Sequence, residues 1–172
     1  MSTGDNKYCL DANVLIQAWQ KYYNPKFCPD YWGILDKLGQ EKRIFIPEQV
    51  FDEIVRTEDD LTKWLKKSQI PIVKITLSVT QCLQKIYSAD HKHRLLVDNI
   101  RGRSLADPWV IAHAMNEKAT VVTKENKETA LNSTRIKIPN VCESMNVRWM
   151  DDFQFITEIQ IMFSCRLKNE SH

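Results

Sequence analysis

The chain has 172 residues, 43% of them hydrophobic and 27% charged, with only 4 Gly and 6 Pro. That composition supports one globular domain with a real core, and it excludes collagen-like, low-complexity and disordered classes. The net charge of +2 is too small to mark a nucleic-acid binder by itself. No apolar run approaches the ~20 residues needed to cross a bilayer, and no secretory leader is visible, so a cytoplasmic protein without membrane contact is expected. Five Cys without a CxxC pair argue against a disulfide framework or a thiolate zinc site and suit a reducing compartment. A single domain over 1–172 is expected, with 1–6 and 164–172 flexible.

The elements alternate. A short apolar strand at 8–10 runs into a helix at about 13–23, with Asp11 at the junction. Tyr31, Ile34, Leu35 and Leu38 recur at helical spacing before Gly39, which reads as the stop of a second helix. A strand at 43–47 is closed by Pro47; helical patterns follow at 48–56 and 59–67, then a strand within 70–76. An amphipathic helix spans 77–90, and 107–117 is apolar around most of its circumference, as a central, covered helix would be. A β-branched strand at 119–123, a short helix at 139–146, a strand at 147–150 and a closing helix at 152–163 complete the chain. Short apolar strands alternating with helices predict an α/β fold: a three-layer α/β/α sandwich around a mostly parallel sheet of about five short strands.

In such sheets ligands bind outside the carboxyl ends of the strands, where the strand order reverses. Carboxylates collect there. Asp11 follows the first strand, Glu48, Asp52 and Glu53 follow the second, Asp107 opens the helix leading to the fourth, and Glu125 follows the fourth. Singly, each has an ordinary explanation: Asp11 and Asp107 as helix N-caps, Asp107 before the favoured N1 proline Pro108, and Glu125 as a loop charge. Helical-wheel geometry does not separate Asp52 from Glu53. Together, however, like charges at about 4 Å repel by roughly 4 kcal/mol per pair at an effective dielectric near 20. A hard divalent cation, Mg²⁺ or Mn²⁺, relieves that repulsion, and an all-oxygen donor set suits it better than zinc.

These pieces resemble the PIN-domain ribonucleases, in particular the toxins of toxin–antitoxin pairs. The likeness rests on YCLDANVLIQA, PEQVFDEI, SLADPWVIAHA with TVVTKE, and KIPNVCESMNVRWMDDFQFI, spanning about residues 7–157. It extends to a branch sharing the KIPxVC stretch. The resemblance implies a PIN-like fold and a metal-dependent endoribonuclease whose acidic set is Asp11, Glu53, Asp107 and Glu125, acting with Mg²⁺ or Mn²⁺. It, and not the helical wheel, selects Glu53. It further implies that Asn13 and Thr123 orient Asp11 or position phosphate, that a cognate antitoxin neutralises the protein, and that a homodimer forms. Relatives usually carry Asp near the position of Glu125, often before an aromatic, where this chain continues NKE.

The basic excess falls in 91–148, which holds 10 basic and 6 acidic residues. Lys92, Arg94, Arg101 and Arg103 precede Asp107 and read either as holders of RNA phosphate, Arg101 and Arg103 above all, or as a solvated face. His91 and His93, two apart, read as surface residues, and the five Trp as core or interface anchors. A receiver-type phosphoacceptor would need a Lys after the last strand, where Asp151 and Asp152 stand, and a phosphatase would need Asp at position 13. Against the ribonuclease stand two other readings, a non-catalytic PIN-fold protein that binds RNA or protein and a structure-specific DNA nuclease.

Overall fold

The structure is a computed structural model, and it describes residues 6–97, 105–131 and 133–167. Five strands form one sheet in the order β3-β2-β1-β4-β5. They are β1 (Tyr8–Leu10), β2 (Ile44–Pro47), β3 (Ile72–Val73), β4 (Thr120–Val122) and β5 (Trp149–Met150). Every pairing is parallel, with Tyr8 opposite Ile44 on one side and Thr120 on the other. The expected mostly parallel sheet is therefore wholly parallel. Parallel strands need long crossovers, and these supply α1 (Ala12–Gln17), α2 (Pro29–Gln40), α3 (Glu48–Val55), α4 (Asp60–Lys67), α5 (Leu77–Ala89), α6 (Asp107–Glu117) and α7 (Ile138–Ser144), while α8 (Asp152–Glu158) follows the last strand.

Both faces are covered, which is why β1 reads as an unbroken apolar run: Tyr8, Cys9 and Leu10 are all buried. Successive side chains go to opposite layers. The Tyr8 ring meets Phe155 of α8 edge-on at 5.0 Å, while the Cys9 thiol donates to the Val110 carbonyl of α6 at 3.6 Å. Helix α6 packs across β1, β2 and β4 with α5 and α7 beside it. Opposite, Trp19, Trp32 and Trp64 pack together, Trp32 standing 4.6 Å from Trp19 and 4.9 Å from Trp64, so these tryptophans are packing residues.

Several boundaries differ from the sequence expectation for identifiable reasons. The first helix does not run regularly to 23; it becomes π-helical over Ala18–Tyr22. The strand placed within 70–76 is only Ile72–Val73, and the closing helix stops at Glu158. Gln160 there adopts φ 61°, its amide reaching the Thr157 carbonyl and the Ile161 amide the Ile156 carbonyl. This is a Schellman ending, and α2, α6 and α7 end the same way with Lys42, Lys118 and Asn146 at positive φ. In a chain with 4 glycines, the usual stop signal is missing from three such ends that carry Lys or Gln. Gly39 is not the stop of its helix. It lies within α2, where a Cβ would meet the Ile70 backbone at 2.7 Å.

Candidate active site at the carboxyl edge of the sheet

From β1 the chain first adds β2 and β3 on one side, then crosses to place β4 and β5 on the other. The order thus reverses between β1 and β4, and the crevice of a parallel sheet lies beyond that point. Asp11 and Thr123 sit there. The Asp11 amide donates to the Val122 carbonyl at 3.0 Å, and the Thr123 amide to the Met150 carbonyl at 3.0 Å, so the backbone of three strands fixes both residues.

Asp11 occupies the N-cap position of α1, yet its side chain caps nothing. Its carboxylate, 2% exposed, accepts instead from the Thr123 hydroxyl at 3.0 Å, and that hydroxyl in turn accepts the Glu125 amide at 3.1 Å. Burial pushes the Asp11 carboxyl up to about 7, the Thr123 hydrogen bond pulls it down, and the charges of Glu125 and Glu53 push it up further. An acid held in the neutral range by desolvation and by like charges is the signature of a working carboxylate or a cation site.

Glu53 is half-buried on α3, and its carboxyl is also raised by burial, opposed by the charge of Arg56. Asp52, which the helical wheel could not separate from it, is exposed. Asp107 is buried as the first residue of α6, with Ala106 and not Asp107 at the N-cap position. The Cys9–Val110 contact ties this first turn to the end of β1. Glu53 and Glu125 thus both bear electrostatically on Asp11, and Asp107 starts its helix at the same edge of the sheet.

Glu125 has a second engagement: its carboxylate accepts the Ile138 amide at 2.9 Å, closing the loop from β4 to the start of α7. Asn13 is exposed, and the hydrogen bond to the Asp11 carboxylate comes from Thr123. Glu48 is turned away from the group, accepting the Ile75 amide at 3.2 Å. Arg101 and Arg103 lie outside the described residues. His93 is not a surface residue: it is 1% exposed, with Nδ1 2.6 Å from the Ile86 carbonyl. Among the described residues, no three His, Cys, Asp or Glu side chains converge as a ready metal cluster. The donor chemistry nevertheless fits a hard cation, because two further carboxylates load a buried one and all their donors are oxygen.

The sequence reading missed Lys124. Its ammonium, between Thr123 and Glu125 in the chain, lies 2.7 Å from Asp152, which is 1% exposed. The rings of Tyr22 and Phe153 cover it at 4.4 and 4.7 Å. Asp152 had drawn notice only as an acid where a receiver wants Lys; that an adjacent strand end supplies the partner is a tertiary fact.

Residues 8–163 match the family described as Domain of unknown function (DUF4411). The chain belongs to that family. Its fold is PIN-like. The chain is similar to one in the crystal structure of VapBC2 from Rickettsia felis bound to a DNA fragment from their promoter, with a TM-score of 0.56 and 18% identity. That match covers 84% of this chain and 97% of the other. No curated protein matches this DUF4411 chain. No described helix is long and apolar enough to cross a membrane.

Proposed function

We propose that this protein is a divalent-metal-dependent endoribonuclease, the toxin of a cytoplasmic toxin–antitoxin pair, with RNA as substrate and an antitoxin protein as partner. The observation that carries the reading is Asp11: a carboxylate buried at the switch point of a PIN-like sheet, held by Thr123 and loaded by the charges of Glu53 and Glu125. The similar structure is of VapBC2, a toxin–antitoxin complex bound to a DNA fragment from their promoter, and this likeness supports an antitoxin partner. A homodimer is part of the same proposal.

Asp11, Glu53, Asp107 and Glu125 would hold Mg²⁺ or Mn²⁺, which when bound supplies Lewis acidity toward a phosphodiester. The chain's own residues do the rest. Thr123 fixes the Asp11 carboxylate, which burial raises to about 7 in the metal-free protein and which a bound cation would favour in its charged form. Glu125 spends one oxygen on Ile138, which leaves the other for the cluster.

The test is cleavage of a mixed RNA pool with Mg²⁺, with Mn²⁺ and with EDTA, for the native protein and Asp11→Asn. Metal-dependent cutting that disappears in the variant is expected; metal-independent or absent cutting refutes the reading. A non-catalytic PIN-fold protein is the second reading, favoured by the absence of a preassembled acidic trio among the described residues. RNA binding without cleavage at any metal concentration would select it, and cutting of DNA alone would select a DNA nuclease.

A further inference from the structure

A cleft of about 510 Å³ lies between the 3₁₀ segment His91–Leu96 and the loop from β4 to α7. Lys92 lines one wall; Arg135, Ser133 and Thr134 line the other. Lys92 and Arg135 are exposed and form no salt bridge among the described residues, unlike Lys63, Lys124, Lys127 and Arg148, which are paired. Arg94, from the same basic run, is instead placed over the Tyr87 ring at 5.0 Å. Among the described lining residues the one carboxylate is Glu128, which accepts the Ala130 amide at 2.9 Å. Leu95 and Leu131 leave apolar surface exposed beside these cations.

The wall is built, not loose. Asn140 donates to the Glu128 carbonyl at 2.9 Å and accepts the Glu128 amide at 3.1 Å, pinning the loop to the first turn of α7. Two residues earlier, Ile138 donates to Glu125. The loop that carries Arg135 is therefore fastened at its base to Glu125, a member of the acidic set.

Two cations with no salt bridge among the described residues, one from each segment, with the Thr134 hydroxyl beside Arg135 and apolar flanks, match a chain of phosphates with sugars and unpaired bases attached. We propose that this cleft holds the backbone of a single-stranded nucleic acid, through Lys92 and Arg135. The proposal rests on the nuclease reading, and the experiment separates the two.

A fluorescein-labelled oligouridylate is titrated against Asp11→Asn protein in EDTA across a range of salt, while the native protein is assayed for RNA cleavage in parallel. Each of Lys92→Ala and Arg135→Ala should weaken binding several-fold and lower the salt slope by about 0.7, the value expected for one single-strand phosphate contact. Lys26→Ala and Lys66→Ala, exposed elsewhere, should leave both unchanged. Cleavage by the native protein with unaltered slopes in the Lys92 and Arg135 variants overturns the cleft and leaves the nuclease standing. Cleft-dependent binding without any cleavage keeps the cleft and overturns the nuclease. Failure of the oligouridylate to bind, or preferential capture of an oligoglutamate peptide through the same two residues, overturns the cleft.

Discussion

Replacing Asp11 by Asn should make the protein more stable above neutral pH and leave it nearly unchanged in acid. The folded carboxyl titrates at about 7 against an ordinary value of 3.8. The folded state therefore binds this proton more tightly than the unfolded chain, and the group destabilises the fold progressively as pH rises from about 4 to about 7. A shift of about three units at ~1.4 kcal/mol each corresponds to about 4 kcal/mol once the charge is fully formed. Asn keeps an oxygen to accept the Thr123 hydroxyl but carries no charge to desolvate. Urea unfolding in EDTA at pH 4, 6 and 8, read as the difference between native and variant, isolates this one titration from the other acids. The expected difference is below about 1 kcal/mol at pH 4 and up to about 4 kcal/mol at pH 8 in favour of Asn. Mn²⁺ should raise the stability of the native protein by mass action and not that of the variant. A pH-independent difference, or a variant less stable at pH 8, would refute the account of Asp11.

Thr123→Val removes the donor that lowers the Asp11 carboxyl, so its titration should move above 7 and stability at pH 8 should fall by about 1–2 kcal/mol; an unmoved pH profile contradicts this. Lys124→Met leaves Asp152 buried and uncompensated and should cost about 3–5 kcal/mol in urea unfolding, with Asp152→Asn in the same chain restoring part of it. Glu125→Gln keeps an acceptor for Ile138 and removes a charge, so it should lower the Asp11 titration without loss of stability, whereas Glu125→Ala should cost about 1 kcal/mol more. Gln in place of Glu125 should also reduce cleavage less than Asp11→Asn, with higher metal recovering part of the loss and Glu128→Gln as the control. Gly39→Ala should destabilise by about 1–3 kcal/mol despite the better helix propensity of Ala, because its Cβ meets the Ile70 backbone at 2.7 Å.

The sheet was legible because its signals are local and strong. Tyr8–Leu10 and Thr120–Val122 are buried throughout, and Pro47 marks the turn into α3. Asp11 followed directly, since strand ends can be counted even where their contacts cannot, whereas Thr123 came only with the family resemblance. What failed to show were features made by partners distant in sequence. His93 reads as half of a surface pair until the Ile86 carbonyl is seen against its Nδ1. Gly39 reads as a helix stop until Ile70 arrives against it, and four helix ends depend on Lys, Asn or Gln accepting a left-handed conformation that propensity assigns to glycine.

The same distinction explains Glu125. Its loop context NKE lacks the aromatic that relatives place there, and from sequence that weakens its claim to the site. In the fold, however, three consecutive residues at this strand end reach three different elements: Thr123 to Asp11 before α1, Lys124 to Asp152 on α8, and Glu125 to Ile138 on α7. The rings over Lys124 are Tyr22 and Phe153, contributed from elsewhere in the chain. An aromatic contact beside the strand end is thus present without being encoded next to the acid. With its position fixed by these neighbours, Glu125 needs only one oxygen for structure, and its charge still acts on Asp11. That charge raises a buried acid's proton affinity and so opposes folding above neutral pH, a cost that the arrangement carries only as long as no cation offsets it.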